Sequence, residues 1–259
     1  MTLRRLLLGC LLAAAATCAA AGPDCSHPLT LALHDHGLLY AAETDTGIDR
    51  DVADELIRRS GCRVTVSVLP RARIWQLIES GALDFSLSGI STPQRDAFAS
   101  FAWYFSNHYY LLVRRDTGVE KLADFERNPK LRLGVIRGFR YSRNANALVD
   151  ALAAQRRVTQ SSTLAPLYEV LVGGAIHGMV IEPFDYPQLS VGALRELTRI
   201  VDSGDDAVPH GLIMSNKSLA TAEQQQWRAL VDAMRADGSM QRIFEKYFAR
   251  DLARAMVNF

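Results

Sequence analysis

Past its first 21 residues the chain has no apolar run long enough to cross a bilayer. Cysteine is scarce, four in 259 residues, and no repeat or low-complexity stretch appears beyond that opening segment. Neither charge dominates: 29 Lys and Arg face 28 Asp and Glu. That balance speaks against an electrostatic binder of nucleic acid or of a membrane surface. No nucleophile-elbow motif is present. His34-Asp35-His36 places two imidazoles at i and i+2, but no third or fourth ligand follows at a recognisable spacing. Neither a metal nor another cofactor is therefore expected. What remains is ordinary globular composition, 49% hydrophobic and 22% charged. It has room for two lobes of roughly 100 residues each.

Residues 1–21 read as a secretory signal peptide. Arg4 and Arg5 make a positive start, Leu6 to Ala16 is apolar, and Ala19-Ala20-Ala21 supplies small residues before a cut at Gly22. The apolar stretch is too short for a membrane anchor. The mature protein is expected in the periplasm. Loss of Arg4 and Arg5 takes the basic count from 29 to 27 against 28 acids, net −1. Cys10 and Cys18 leave with the leader, and Cys25 and Cys62 remain. Each stands just before a β-rich run, Leu29–Leu33 and Arg63–Val68. If those runs are neighbouring parallel strands, their starts lie side by side and the two cysteines can form a disulfide. An exported protein favours that pairing; two buried free thiols are the alternative.

Strand and helix alternate along the rest, the pattern of an α/β protein with mostly parallel strands. Strands are expected at 29–33, 64–69, 83–88, 131–136, 158–160, 177–181, 197–201 and 211–215. Helices are expected at 49–59, 72–80, 142–155, 164–172, 222–237 and 240–248. Gly61 suits a left-handed helix end. Thr92-Pro93 suits a helix start, with Thr92 as the cap and Pro93 in the first turn. Residues 101–113 read as aromatic-rich extended structure, and a second α/β unit begins near Leu122-Ala123-Asp124-Phe125.

Four short motifs stand in order along this pattern. They are Gly47-Ile48-Asp49-Arg50-Asp51-Val52-Ala53, then Gly81-Ala82-Leu83-Asp84, then Thr92-Pro93-Gln94-Arg95 with the looser Phe101-Ala102-Trp103-Tyr104-Phe105. The last is Asp237-Gly238-Ser239 followed by Ile243-Phe244-Glu245-Lys246-Tyr247-Phe248. Together they resemble family 3 of the extracellular solute-binding proteins, the polar amino-acid-binding type that feeds ABC importers. The resemblance implies a two-lobed periplasmic-binding-protein-like fold of type II with two hinge crossover strands. Lobe 1 would be 25–114 with 210–259, lobe 2 would be 115–209, and the crossovers would lie near 111–115 and 208–213. It also implies a monomer that closes on one small molecule and hands it to an inner-membrane ABC permease.

The same resemblance nominates the ligand-binding residues. Arg95, at a helix start, would grip a carboxylate through paired hydrogen bonds. Ser88 would add a hydroxyl, though Ile90 stands where the family usually has a second one. Asp35 follows the first strand, and Tyr40 lies near the family's ligand-packing aromatic; ordinary core packing is the other reading of Tyr40. Arg71 and Arg73 follow Pro70, and each is equally a solvated arginine at a helix start. In the turn Gly138-Phe139-Arg140-Tyr141-Ser142 the glycine and helix start offer backbone donors. Arg140 replaces the family's hydroxyl there, a clear departure from the ordinary amino-acid receptor. Glu182 would meet an ammonium group, with Asp185 as a second acid. More arginines than acids among these residues suggests an anionic or dicarboxylic ligand, or an amino acid with an extra acidic group. An enzyme of the cyclohexadienyl dehydratase type, with Glu182 or Asp185 as general acid, is the alternative function.

Overall fold

The computed structural model describes residues 22–259, so the signal-peptide reading of residues 1–21 lies outside the described residues. The chain opens with strand β1 (Leu29–Leu33), helix α1 (Ile48–Ser60), β2 (Val64–Val68), α2 (Arg71–Ser80), β3 (Phe85–Gly89), a short α3 (Pro93–Asp96) and a long β4 (Ala99–Asn107). It continues through β5 (Tyr110–Arg114), α4 (Leu122–Arg127), β6 (Leu133–Ile136), α5 (Arg143–Ala154), β7 (Val158–Ser161), α6 (Ala165–Val172), β8 (Gly178–Ile181), α7 (Tyr186–Leu189), α8 (Gly192–Leu197) and β9 (Thr198–Asp202). It ends with β10 (Val208–Ser215), α9 (Thr221–Ala236), α10 (Ser239–Phe244) and α11 (Arg250–Val257).

These strands make two five-stranded sheets, in the orders β2-β1-β3-β10-β4 and β7-β6-β8-β5-β9. Each sheet is the middle layer of one lobe. Local chemistry explains the helices that flank them. α1 has Asp49 and Asp51 in its first turn and Arg58 and Arg59 in its last, matching the helix dipole at both ends. It stops at Gly61, whose φ of 70° is left-handed and whose N–H donates to Ile57 O. α1 and the C-terminal helices cover one face of the first sheet through Val52, Leu56, Trp227, Val231 and Phe244. α2 covers the other face through Ile74 and Ile78. The second sheet is covered by α5 on one face and α6 on the other, through Leu148 and Leu152, and Leu167 and Leu171.

The aromatic stretch 101–113 is divided between the lobes. β4 runs antiparallel to β10 up to the Val208↔Asn107 pair. β5 then pairs with β8 and β9 in the second sheet. Tyr110–Arg114 therefore belongs to lobe 2, and the first crossing falls near 107–110 rather than 111–115. The second crossing lies between β9 and β10 at 203–207, just before the expected 208–213. The helix expected at 240–248 ends at Phe244, and α11 follows it with Ala253, Met256 and Val257 buried in the lobe 1 core.

β1 and β2 are parallel neighbours starting at Leu29↔Val64. That register brings Cys25 and Cys62 to a Cα separation of 4.8 Å, and they form a disulfide. The bridge links residues 37 apart in sequence. Replacing both cysteines with Ser is expected to cost about 2–4 kcal/mol of stability, mainly by freeing the unfolded chain. Thermal or urea melts check this; an unchanged midpoint would contradict it.

Candidate functional site

The carboxyl ends of the parallel strands in both lobes point at one another, the usual place for a ligand in open α/β sheets. From lobe 1, β1 leads to His34 and His36, β3 leads to Ser88 and Ile90, and α2 and α3 carry Arg71, Trp75 and Arg95. From lobe 2, β6 leads to the turn Gly138-Phe139-Arg140, and β8 leads to Glu182. Many of these residues enclose an interlobe cavity of about 20 Å³, room for little more than a water. Trp75, Arg95, Gly138, Phe139 and Arg140 also line an open groove of about 790 Å³ at the cleft mouth.

Arg95 reaches the cavity because of how its short helix begins. Thr92 Oγ1 caps α3 by accepting from Arg95 N at 3.2 Å. The Arg95 side chain is buried against Trp75, its guanidinium carbon 3.9 Å from the ring centroid. Nη1 donates to Ile90 O at 3.0 Å, and Nη2 crosses the cleft to Gly138 O at 2.9 Å. Gly138 has φ +85°, and a Cβ there would stand 2.8 Å from the Ala72 backbone. Only glycine lets the lobe 2 turn come this close. Arg71 is buried as well, and its Nη1 donates to Leu87 O at 3.0 Å. Among the described residues neither arginine has a carboxylate within ion-pair distance. Burial, with the like charge of Arg71 behind it, pushes the Arg95 guanidinium down to about 9. Burial also lowers Arg71.

The acids of the cleft are arranged differently. Glu182 Oε1 lies 2.9 Å from His36 Nε2 of lobe 1, and Oε2 accepts from Asn107 Nδ2 at 2.6 Å. His36 Nε2 is also 3.8 Å from Asp185 Oδ1. Burial alone would lower the His36 imidazole, but Asp185 and Glu182 outweigh it and hold the group above its ordinary value. Burial would raise Glu182, and His36 reverses that, keeping the carboxyl below its usual range. Between these acids stands Phe184, fully buried in the lobe 1 core against Phe105 and Phe248, with ring centroids 5.3 and 5.5 Å away. Leu38 N donates to Phe184 O at 3.0 Å, and Gly37 permits that approach.

The other nominated residues divide between cavity and elsewhere. Ser88 lines the cavity, but its Oγ donates to Asp49 Oδ1 at 2.6 Å. Burial pushes the Asp49 carboxyl up to about 6. Arg140 lines the cavity edge while held by Asp150 at 2.8 and 2.9 Å, so most of its charge is already answered. Tyr141 is buried in the lobe 2 core and borders the groove; its hydroxyl accepts from Ile136 N. Asp35, Tyr40 and Arg73 do not line the cavity. Asp35 Oδ1 accepts from Ala42 N within its own turn. Tyr40 packs in the lobe 1 core with its hydroxyl on Asp45. Arg73 points to solvent beside Gln76, because α2 presents its position away from the cleft.

Sequence reasoning missed His36, Trp75, Asn107, Tyr109, Phe139 and His210. Phe139 packs against His34 and His36 at 5.4 and 4.9 Å and lies 5.6 Å from the Arg71 guanidinium carbon. Tyr109 and His210 share a hydrogen bond of 2.7 Å. Burial drops His210 to about 4, and His210 Nδ1 donates to Val208 O, so Tyr109 is the donor to Nε2. The sequence signal for His36 is the His34-Asp35-His36 fragment.

Solved structures share this fold. An ancestral arginine-binding protein bound to arginine superposes with a TM-score of 0.73 at 18% identity, covering 87% of this chain and 100% of the other. The arginine-, lysine-, histidine-binding protein ArtJ of Geobacillus stearothermophilus gives 0.72 at 14% identity, covering 88% and 100%. The ancestral amino-acid-binding protein AncCDT-1, a precursor of cyclohexadienyl dehydratase, gives 0.68 at 20% identity, covering 85% and 95%. No curated protein matches the sequence. The sequence profile of one family matches residues 37–250. The chain belongs to the bacterial extracellular solute-binding proteins, family 3.

Proposed function

We propose that this protein captures a small carboxylate-bearing solute, an amino acid or a related organic anion, between its lobes. It delivers that solute from the periplasm to an inner-membrane ABC permease and works as a monomer. Arg95 carries the reading. It is a buried cation at the start of a capped helix, and it already bridges the cleft to Gly138 O. A bound carboxylate can take the same donors in paired hydrogen bonds. The solute then favours closure because it binds the closed form better than the open one. Family membership and the amino-acid-binding proteins of like fold support the same reading.

The dehydratase-like alternative needs an acid that holds a proton over the bound molecule. Glu182 is kept ionised by His36, and Asp185, raised by burial to about 6, faces His36 and Tyr168 and does not line the cavity with the arginines. The receptor is therefore the better account of these groups.

Arg95→Ala is expected to abolish ligand-induced thermal stabilisation. A solute at 100 times its Kd supplies about 2.7 kcal/mol to the wild-type protein. A full shift retained in Arg95→Ala would remove that residue from the site.

Closure should also depend on pH. His36 of lobe 1 faces Glu182 and Asp185 of lobe 2, with Arg71 and the stacked His34 nearby. Its folded pKa lies above 6.5, so its contribution is complete below that value and is lost as pH climbs through the folded pKa. Asp185, raised to about 6, acts in the same direction at lower pH. Solute affinity is expected to weaken as pH rises above about 6.5, and His36→Gln to flatten that slope. An equally steep profile in His36→Gln, measured by titration calorimetry, would contradict the assignment.

A further inference from the structure

We infer that the captured solute is a small dicarboxylate without an ammonium group, held between Arg71 and Arg95. The inference rests on the receptor reading above and narrows its solute class. Both guanidinium groups are buried, both line the same interlobe cavity, and among the described residues neither has a carboxylate within ion-pair distance, although Asp49 and Glu182 act on Arg71 from farther off. Arg71 is the more exceptional. It is 4% exposed, and the carbonyl of Leu87 is the acceptor for one of its several N–H donors. Two like charges removed from water beside one another are costly unless an anion meets them. A ligand with one carboxylate for each arginine supplies two such anions.

The cavity is equally informative about what it does not welcome. Glu182 is the one acid among its lining residues, and both its oxygens are engaged, one by His36 and one by Asn107. Asp185 and Glu182 hold the His36 imidazole above its ordinary value against the effect of burial. An ammonium group would have to displace His36 or Asn107 from Glu182 while standing beside Arg71 and Arg95. The acid side of the cleft therefore serves to join the lobes, and the cationic side serves to bind. Phe139 reaches into the same space, so the solute enters when the lobes part and this ring moves with lobe 2.

The test is titration calorimetry of the whole protein with glutarate, glutamate, arginine, propionate and inorganic phosphate. Glutarate and glutamate differ only in the ammonium group, so their ratio isolates it. Glutarate is expected to bind most tightly, ahead of glutamate by about tenfold or more, the scale of one unpaired charge interaction. Arg71→Met should weaken glutarate by about 10- to 100-fold and leave propionate nearly unchanged. The same variant should melt at a higher temperature than wild type without ligand, because it removes a buried unpaired charge. A lower melting temperature in both Arg71→Met and the charge-keeping Arg71→Lys would make Arg71 structural and overturn the assignment. Tightest binding of glutamate or arginine would overturn the dicarboxylate while leaving the receptor intact, as would tightest binding of phosphate. Failure of every probe in the panel would overturn both.

Discussion

The end of strand β8 is where the two lobes become one molecule. Phe184 leaves lobe 2 and is buried in the core of lobe 1, among Leu39, Phe105 and Phe244. Full burial of such a side chain is worth roughly 1.5–3 kcal/mol. Its neighbour Glu182 is held from the lobe 1 side by His36 and by Asn107 at the crossing. Leu38 donates to the carbonyl of Phe184 itself. A fastening of this kind fixes one edge of the cleft. The far edge is joined more lightly, by Arg95 Nη2 on Gly138 O.

This asymmetry sorts the charges. Acids gather at the fastened edge, where they are consumed in holding the lobes together. Arg71 and Arg95 face the cavity, and among the described residues neither has a carboxylate within ion-pair distance. Asp49 shows the same economy within lobe 1: its carboxylate is spent on Ser88 and Tyr104, and that ties α1 to β3 and β4. The hydroxyl of Ser88 is thereby turned toward Asp49 and away from the cavity. Polar groups that look equivalent along the chain thus divide into those engaged in building the cleft and those that face its cavity.

Much of this was legible in the residues. The alternation of periodicities placed the strands and helices of both α/β units, because each is a local pattern. Cys25 and Cys62 could be paired because parallel neighbours start together. The division of 101–113 between two sheets was not legible. No glycine or proline interrupts Phe101 to Val113, and the change of partner from β10 to β8 and β9 is a long-range event. The side-chain directions at the site had the same difficulty. Asp35 and His36 are adjacent, yet the turn that pairs His36 with Tyr40 points one at Ala42 and the other at lobe 2. Arg140 looked like an unpaired cation until the fold of α5 brought Asp150 against it. Arg95 was readable because a capped helix start fixes where it projects.

The fastened edge and the releasable mouth make opposite demands on motion, and a pair of distance measurements separates them. Spin labels at exposed Gln94 and Ala147 span the mouth, and labels at exposed Thr44 and Gln188 span the edge near Phe184. Pulsed dipolar spectroscopy would report both distances with and without a bound solute. The account predicts that the mouth distance shortens and narrows on binding while the edge distance stays where it was. Equal movement of both pairs, or no movement at the mouth, would contradict it.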